Sequence, residues 1–423
     1  MNVKWIYPGD QEYETERMNW DTRFNVYPEV IAQALNKEGV KEILKYIKVN
    51  DKPFAIRGGR HCFEPWSLSS GVVLDMSQIN HVNIHKKTAK IGSGARLGDI
   101  YKSLLDKGYF IPAGTRPTVG IGGQGVNGGI GYSTRKYGLL IDKIVKFKVI
   151  TADGEYLTVS QHKNSDLFWA LKGSGAGNFC VVVEYHVNLI KARNVTVFTF
   201  HYSFEEGCET LRWLTEINNS ADLTCQAVIN SKEILLTGQY FGKPRNSLKK
   251  ELRGLPEPKS KEILYVSYSE AVKYWSAPTP KESVKSKSRF FRSALGRSTI
   301  FDLVEFVKNT EVPEGARLTI GFQQIKNKTF SGCIPWKKAT YWINWTFRWS
   351  GQDPEIDLEL LEKSYIKTIK DHAATPYSYS GMMDLEAGDF PYTYYGKNYD
   401  KLLKIKRKYD PKSLFRYPQG LVK

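Results

Sequence analysis

The sequence predicts an α+β protein of two lobes, the second built on a large antiparallel sheet backed by helices. Three observations lead there. The chain has 423 residues, too many for one compact core and suited to two domains of ordinary size. Glycine is concentrated early, with seven glycines among residues 117–131, and thins out beyond about residue 195. From there strand-like segments alternate with helical ones, the texture of an α+β lobe.

The elements follow in order. Residues 28–50 read as a helix and its approach, with Val40, Ile43, Leu44 and Ile47 at helical spacing among lysines and glutamates. Residues 52–56 read as a short strand entering a glycine turn, and residues 72–75 and 89–92 as further strands. Leu97, Ile100, Tyr101, Leu104 and Leu105 mark a helix over residues 97–107 that Gly108 stops. Residues 144–151 form a strand, Asp153-Gly154 a hairpin turn, residues 166–172 a short helix and residues 181–189 another strand. In the second lobe, residues 195–202, 234–240, 317–325 and 340–349 read as strands. Residues 204–217, 245–252 and 355–371 read as helices. Residues 257–287, rich in Ser, Pro and Lys, read as a mobile loop region. Along residues 341–349 the period is two: Tyr341, Ile343, Trp345, Phe347 and Trp349 share a face suited to core. Trp342, Asn344, Thr346 and Arg348 share the other, which could look into a cleft.

Composition excludes several classes. No run of 18 apolar residues exists, so no membrane span is expected. The first residues carry a lysine but no apolar stretch, so no secretory signal is expected. An intracellular chain is favoured unless the sequence is a mature form. Cysteines 62, 180, 208, 225 and 333 form no paired spacing, which points to reduced thiols rather than a metal site or a disulfide framework. The net charge of +17 would suit nucleic acid or an anionic surface. The basic residues are scattered, however, and no nucleic-acid-binding motif accompanies them.

Three glycine-rich segments carry the chemistry. Arg57-Gly-Gly-Arg-His-Cys62 follows a strand, where Gly58 and Gly59 let main-chain N–H groups approach an anion. Pro117-Thr-Val-Gly-Ile-Gly-Gly-Gln-Gly-Val-Asn-Gly-Gly-Ile-Gly131 is too glycine-rich for a packed core and suits backbone pressed against a ligand. Gly173-Ser-Gly-Ala-Gly-Asn-Phe179 lies between a helix and a strand. The second run is not placed between strand and helix in a βαβ unit, which disfavours a nicotinamide-type Rossmann site. No Gly-Lys-Ser/Thr follows, which excludes a P-loop.

Together these segments resemble the berberine bridge enzyme-like FAD-linked oxidases of the vanillyl-alcohol oxidase superfamily. Further matching stretches are Arg135-Lys-Tyr-Gly-Leu139, Ala152-Asp-Gly154, Asp166-Leu-Phe-Trp-Ala-Leu-Lys-Gly173, Tyr394-Tyr-Gly-Lys-Asn-Tyr-Asp-Lys-Leu402 and Lys408-Tyr-Asp-Pro411, followed by Phe415 and Gln419. The resemblance implies a PCMH-type FAD-binding domain over residues 1–192, a substrate domain over 193–384, and a segment 385–423 that returns to the first. It implies an FAD-dependent oxidase or dehydrogenase that takes hydride from an alcohol-type small molecule, with oxygen as the acceptor and hydrogen peroxide the product. The rival reading is a flavin-binding structural or nucleic-acid-associated protein on the same scaffold.

The resemblance also assigns residues. His61 matches the histidine that bonds covalently to the flavin. FAD contacts fall on Arg57, Gly58, Gly59, Arg60, Cys62, Pro117, Thr118, Val119, Gly120, Gly122, Gly123, Gln124, Asn127, Gly128, Gly131, Tyr137, Gly138, Asp142, Gly177, Asn178, Val182, Tyr395 and Asn398. Many relatives add a second, cysteinyl bond; Arg116 stands at that position here, so one bond is expected. Arg116 could instead favour negative charge near the reduced flavin, or face solvent. Relatives often carry a reactive tyrosine where this chain has Met382. Asp384 could take the substrate proton, as could Tyr377 or Tyr379 after a register shift. Trp66 could line the site.

Overall fold

A computed structural model describes residues 1–216, 219–276, 280–327, 330–351 and 358–421. Three sheets organise them. In the first, the strand order is Val3–Ile6, Val30–Ala34, Val72–Asp75, Phe54–Arg57. The last three strands run parallel and the first is antiparallel. Parallel strands need their faces covered, and the helix Lys37–Val49 buries Val40, Ile43, Leu44 and Ile47 against Ala32, Val72 and Leu74. Its start is fixed by Asn36, whose side chain accepts from the Glu38 and Gly39 N–H groups. The expected approach to this helix is itself a strand. All five residues of Val30–Ala34 are buried, and such a short apolar run gives no helical periodicity to read.

The second sheet is antiparallel, in the order Val82–His85, Thr88–Gly92, Val181–Asn188, Ile144–Ile150, Tyr156–Ser160. Ile91, Phe147, Tyr185 and Val187 pack in one core with Leu97, Ile100 and Leu104 of the helix Leu97–Leu105. A two-stranded ladder, Tyr109–Phe110 with Ile190–Lys191, closes this region.

The third sheet has seven antiparallel strands, in the order Ser260–Val266, Val195–Tyr202, Ile234–Tyr240, Leu223–Ile229, Ala316–Gln324, Tyr341–Trp349, Ser283–Phe291. Its apolar face, including Tyr341, Ile343, Trp345, Phe347 and Trp349, packs on the helices Phe204–Glu216, Arg297–Asn309 and Leu358–Thr368. The expected helix limits at 217 and 355 lie outside the described residues. The other face is polar. Cross-strand registers align Gln226 with Gln323, Thr319 with Thr346 and Arg317 with Arg348. Tyr132 meets it through Thr237 Oγ1 at 2.8 Å, and Trp275 Nε1 donates to Gln239.

One expectation needs correction. Residues 257–287 are not a loop: they hold the strand Ser260–Val266, the helix Tyr268–Trp275 and the start of the strand Ser283–Phe291, with 277–279 outside the described residues. A reciprocal capping box between Ser267 and Glu270 starts the helix. Lys285 and Lys287 are buried because acidic side chains from elsewhere meet them; composition alone carries no sign of such long-range pairing. Within the glycine run lies a short helix, Ile121–Asn127.

Candidate functional site

The three glycine segments converge on one cavity of about 690 Å³, a size suited to a bound small molecule, for which about 300–1,000 Å³ is usual. Gly58 and Gly59 line it from the first segment, Gly120, Gly122 and Gly123 from the second, Gly175 and Gly177 from the third. The first two segments touch backbone to backbone. A Cβ on Gly59 would stand 2.1 Å from Gly120 N, and one on Gly120 would stand 2.5 Å from Gly59 N. Side chains are excluded there by contact. At Gly123, by contrast, a Cβ would meet nothing within 4 Å. Four described side chains on the wall keep buried polar atoms without a protein partner: Arg60 Nε, Trp66 Nε1, Ser93 Oγ and Asn127 Oδ1. Unpaired buried groups are costly, so these fit a polar ligand.

His61 stands on the same wall. Its ring stacks on Trp20 with centroids 4.9 Å apart, and its Nε2 lies 2.8 Å from Thr118 Oγ1. Burial, reinforced by the positive charges of Arg116, Arg96 and Arg348, pushes the imidazole pKa down to about 4. At neutral pH the ring is uncharged, the state in which a ring nitrogen is nucleophilic.

A family described as an FAD binding domain matches residues 28–160, and one described as berberine and berberine like matches residues 378–421. The FAD-linked oxidoreductase YgaK of Bacillus subtilis (strain 168) is 30% identical over 442 residues, covering 97% of this chain and 95% of the relative. The chain belongs to the berberine bridge enzyme-like FAD-linked oxidoreductases. The wild-type BBE-like 1 of Physcomitrella patens shares the fold, with a TM-score of 0.89 at 23% identity over 99% of this chain and 97% of that one. So does the glucooligosaccharide oxidase of Acremonium strictum, described with a 6-S-cysteinyl, 8α-N1-histidyl FAD, with a TM-score of 0.88 at 20% identity over 99% and 97%.

In this flavoenzyme the wall also carries Arg60, Cys62, Val119, Gln124, Asn127, Asn178, Val182 and Tyr379 from the expected set, together with Trp66. Gln124 Oε1 accepts from Gly114 N–H. Asn178 is held rather than free: it donates to Ser174 O and Tyr417 Oη and accepts from Leu421 N–H. Thr118 acts one step back, through His61.

Other expected contacts lie off the wall, and each is explained by a stronger local partner. Arg57 is fully buried in an ion pair with Asp75. Pro117 packs on Gly98, and Gly131 abuts Ala113 O. Gly128, at φ +140°, faces Tyr379 and Trp336. Tyr137 packs its ring on Phe110 and Phe241. Asp142 caps Leu139 N–H beside Gly138 and accepts from Ser331. Tyr395 donates to Gln419 O, and Asn398 donates to Cys333 O. None of these residues lines the cavity.

Of the three candidate bases, Asp384 is held by two lysines. Its carboxylate accepts from Lys285 Nζ at 2.9 Å and Lys287 Nζ at 2.7 Å, and it is absent from the cavity wall. Burial raises its pKa, but the two ammonium groups more than offset that and hold it below the usual carboxylate range. A carboxylate so paired is a poor proton acceptor. Tyr377 packs against Tyr392, off the wall. Tyr379 does reach the cavity, with Gly129 N–H donating to its oxygen, beside Met382.

Reading the sequence missed Trp20, Ser93, Tyr185 and Tyr417 on the wall. Tyr417 lies between Phe415 and Gln419 of the C-terminal match, so that match held its signal. Trp20 is an isolated aromatic in a loop and had none.

Proposed function

We propose that this oxidoreductase carries FAD on a single covalent bond to His61 and takes hydride from an alcohol-type substrate such as a sugar, a phenolic alcohol or another secondary metabolite. The carrying observation is the neutral imidazole of His61 on the wall of the glycine-lined cavity. With Nε2 protonated and donating to Thr118 Oγ1, Nδ1 keeps the lone pair that forms the bond. Arg116 occupies the place of a second, cysteinyl link and has no thiol to offer. Bound FAD supplies the hydride acceptor, and oxygen removes the electrons as hydrogen peroxide.

The residues divide the work. Gly58, Gly59, Gly120, Gly122 and Gly177 leave room for main chain to meet the nucleotide, and Asn127 and Ser93 offer polar groups to it. Residues 1–192 with 385–423 hold the cofactor, and 193–384 cover the substrate with the polar face of the seven-stranded sheet. Tyr379 takes the hydroxyl proton. Burial pushes its phenol up to about 12, opposed by the hydrogen bond from Gly129 N–H. The phenolate is therefore scarce at neutral pH and grows with alkalinity, so the rate rises with pH.

The test has two parts. Acid denaturation should leave yellow colour on the polypeptide, and a His61→Ala variant should release it. An anaerobic panel of alcohols, sugars and phenols, scored by bleaching of the flavin and followed by air, should identify a substrate and yield peroxide. Colour retained by the His61→Ala chain would refute the attachment. A panel with no bleaching would refute the reaction.

A further inference from the structure

Arg116 and Arg348 stand on the cavity wall with His61, and one carboxylate, Glu282, is paired with Arg348. Arg348 donates to Glu282 at 2.7 Å, and Arg317 pairs with the other oxygen of the same carboxylate. Arg348 also lies over the Trp20 ring, 5.3 Å from its centroid, the indole on which His61 stacks. Arg116 lines the cavity with Arg348; its main-chain carbonyl accepts from Val119 N–H, while its guanidinium has no hydrogen-bond or salt-bridge partner among the described residues. Burial and the repulsion of Arg348 and Arg317 lower its pKa, against the pull of Glu282. Among the described residues on the cavity wall none is Asp or Glu, while Arg60, Arg116, Arg348 and Arg416 are all there. Arg60 is already paired with Glu16 and Asp75.

An unpaired guanidinium at a concave wall is a standing demand for an anion. Its planar fork matches a carboxylate with two parallel hydrogen bonds. Arg348 stands at the end of the sheet's polar face, in line with Asn344 and Thr346, whose side chains bond to each other. We propose that the substrate is an acid: an alcohol bearing a carboxylate that Arg116 and Arg348 bind while its hydroxyl-bearing carbon faces the flavin. This rests on the flavin-oxidase reading above, and it narrows the substrate class. The same two cations would also suit a reduced flavin or a nucleotide phosphate, and the experiment separates these uses.

The full-length, FAD-loaded protein is titrated with benzoate and glucuronate, and separately with benzyl alcohol and glucose, while the visible flavin spectrum is recorded. The carboxylates should perturb the spectrum at concentrations at least about tenfold lower than their neutral counterparts, an effect that weakens with added salt. Arg116→Gln should weaken carboxylate binding about tenfold or more, and Arg116→Lys should restore part of it. Anaerobic reduction should be faster for 4-(hydroxymethyl)benzoate than for benzyl alcohol, and Arg116→Gln should abolish that preference. Carboxylates that bind no better than neutral partners would overturn the proposal. So would an Arg116→Gln enzyme with an altered flavin reduction potential but unchanged benzoate binding, or one that folds by circular dichroism yet takes up no FAD. If the variant does not fold, the wild-type titration decides alone. A folded wild-type protein that binds no FAD would instead refute the underlying reading.

Discussion

His61 depends on its two neighbours in different ways. Trp20 stacks on the ring, and Thr118 Oγ1 shares a hydrogen bond with its Nε2. Thr118→Val should therefore leave FAD uptake intact but slow covalent attachment about tenfold, the worth of one hydrogen bond of about 1.4 kcal/mol; colour retained after timed acid quenches measures it. The depressed pKa of this histidine also sets a stability window in the flavin-free chain. The unfolded ring takes up its proton near 6.5, the folded ring only near 4. As pH falls through that interval the unfolded state binds more protons, so stability declines from about 6.5 to about 4 and is unaffected above it. Thermal melts of wild type and His61→Ala across that range should differ in slope there. At Gly59 the constraint is steric. Gly59→Ala brings a methyl into the backbone of Gly120, which should cost about 1–3 kcal/mol or more and impair FAD uptake.

At the scale of elements, the strand Ser283–Phe291 is tied to the segment around Asp384 by an ion cluster. Lys285 reaches Asp384 and Glu386, and Lys287 reaches Asp384, Glu386 and Glu362. Asp384→Asn leaves two buried ammonium groups short of charge and should cost about 3 kcal/mol, read as a lower melting temperature, with flavin reduction largely kept. Tyr379→Phe should do the reverse: near-native melting, a rate loss of about 10²–10⁴, and no rise of rate with pH. A large rate loss in Asp384→Asn at unchanged stability would restore Asp384 as the base. Because the folded pKa of Asp384 is depressed, its stabilisation is present above the unfolded value of 3.8 and is lost as pH falls through the lower, folded value. Acid should loosen this join.

At the scale of the whole molecule, the segment Tyr399 to Leu421 packs back on the first lobe. Buried Lys406, in the helix Tyr399–Tyr409, donates to Asn178 O as well as to Asp410 and Phe415 O. Tyr417 and Leu421 hold the Asn178 side chain from the other side. A chain ending after Asp410 loses Phe415 and Leu421 from two cores and the Tyr417 wall of the cavity. It should keep the seven-stranded sheet by circular dichroism but fail to take up FAD, as flavin absorbance after gel filtration would report.

Much of this was legible one residue type at a time. Period-two and period-three-to-four patterns are local, so strands such as Val181–Asn188 and helices such as Leu97–Leu105 could be placed before any coordinates. The glycine segments announced a ligand because steric freedom is a property of the residue itself. Partners are not. That Lys285 and Lys287 are buried, that Asp384 answers them, that Tyr379 and not Tyr377 reaches the cavity, and that Arg116 meets Arg348 beside His61 all depend on residues tens to hundreds of positions apart. Charge and burial are set by which side chains end up adjacent, and that adjacency is made by the packing of the three sheets, not by the order of the chain.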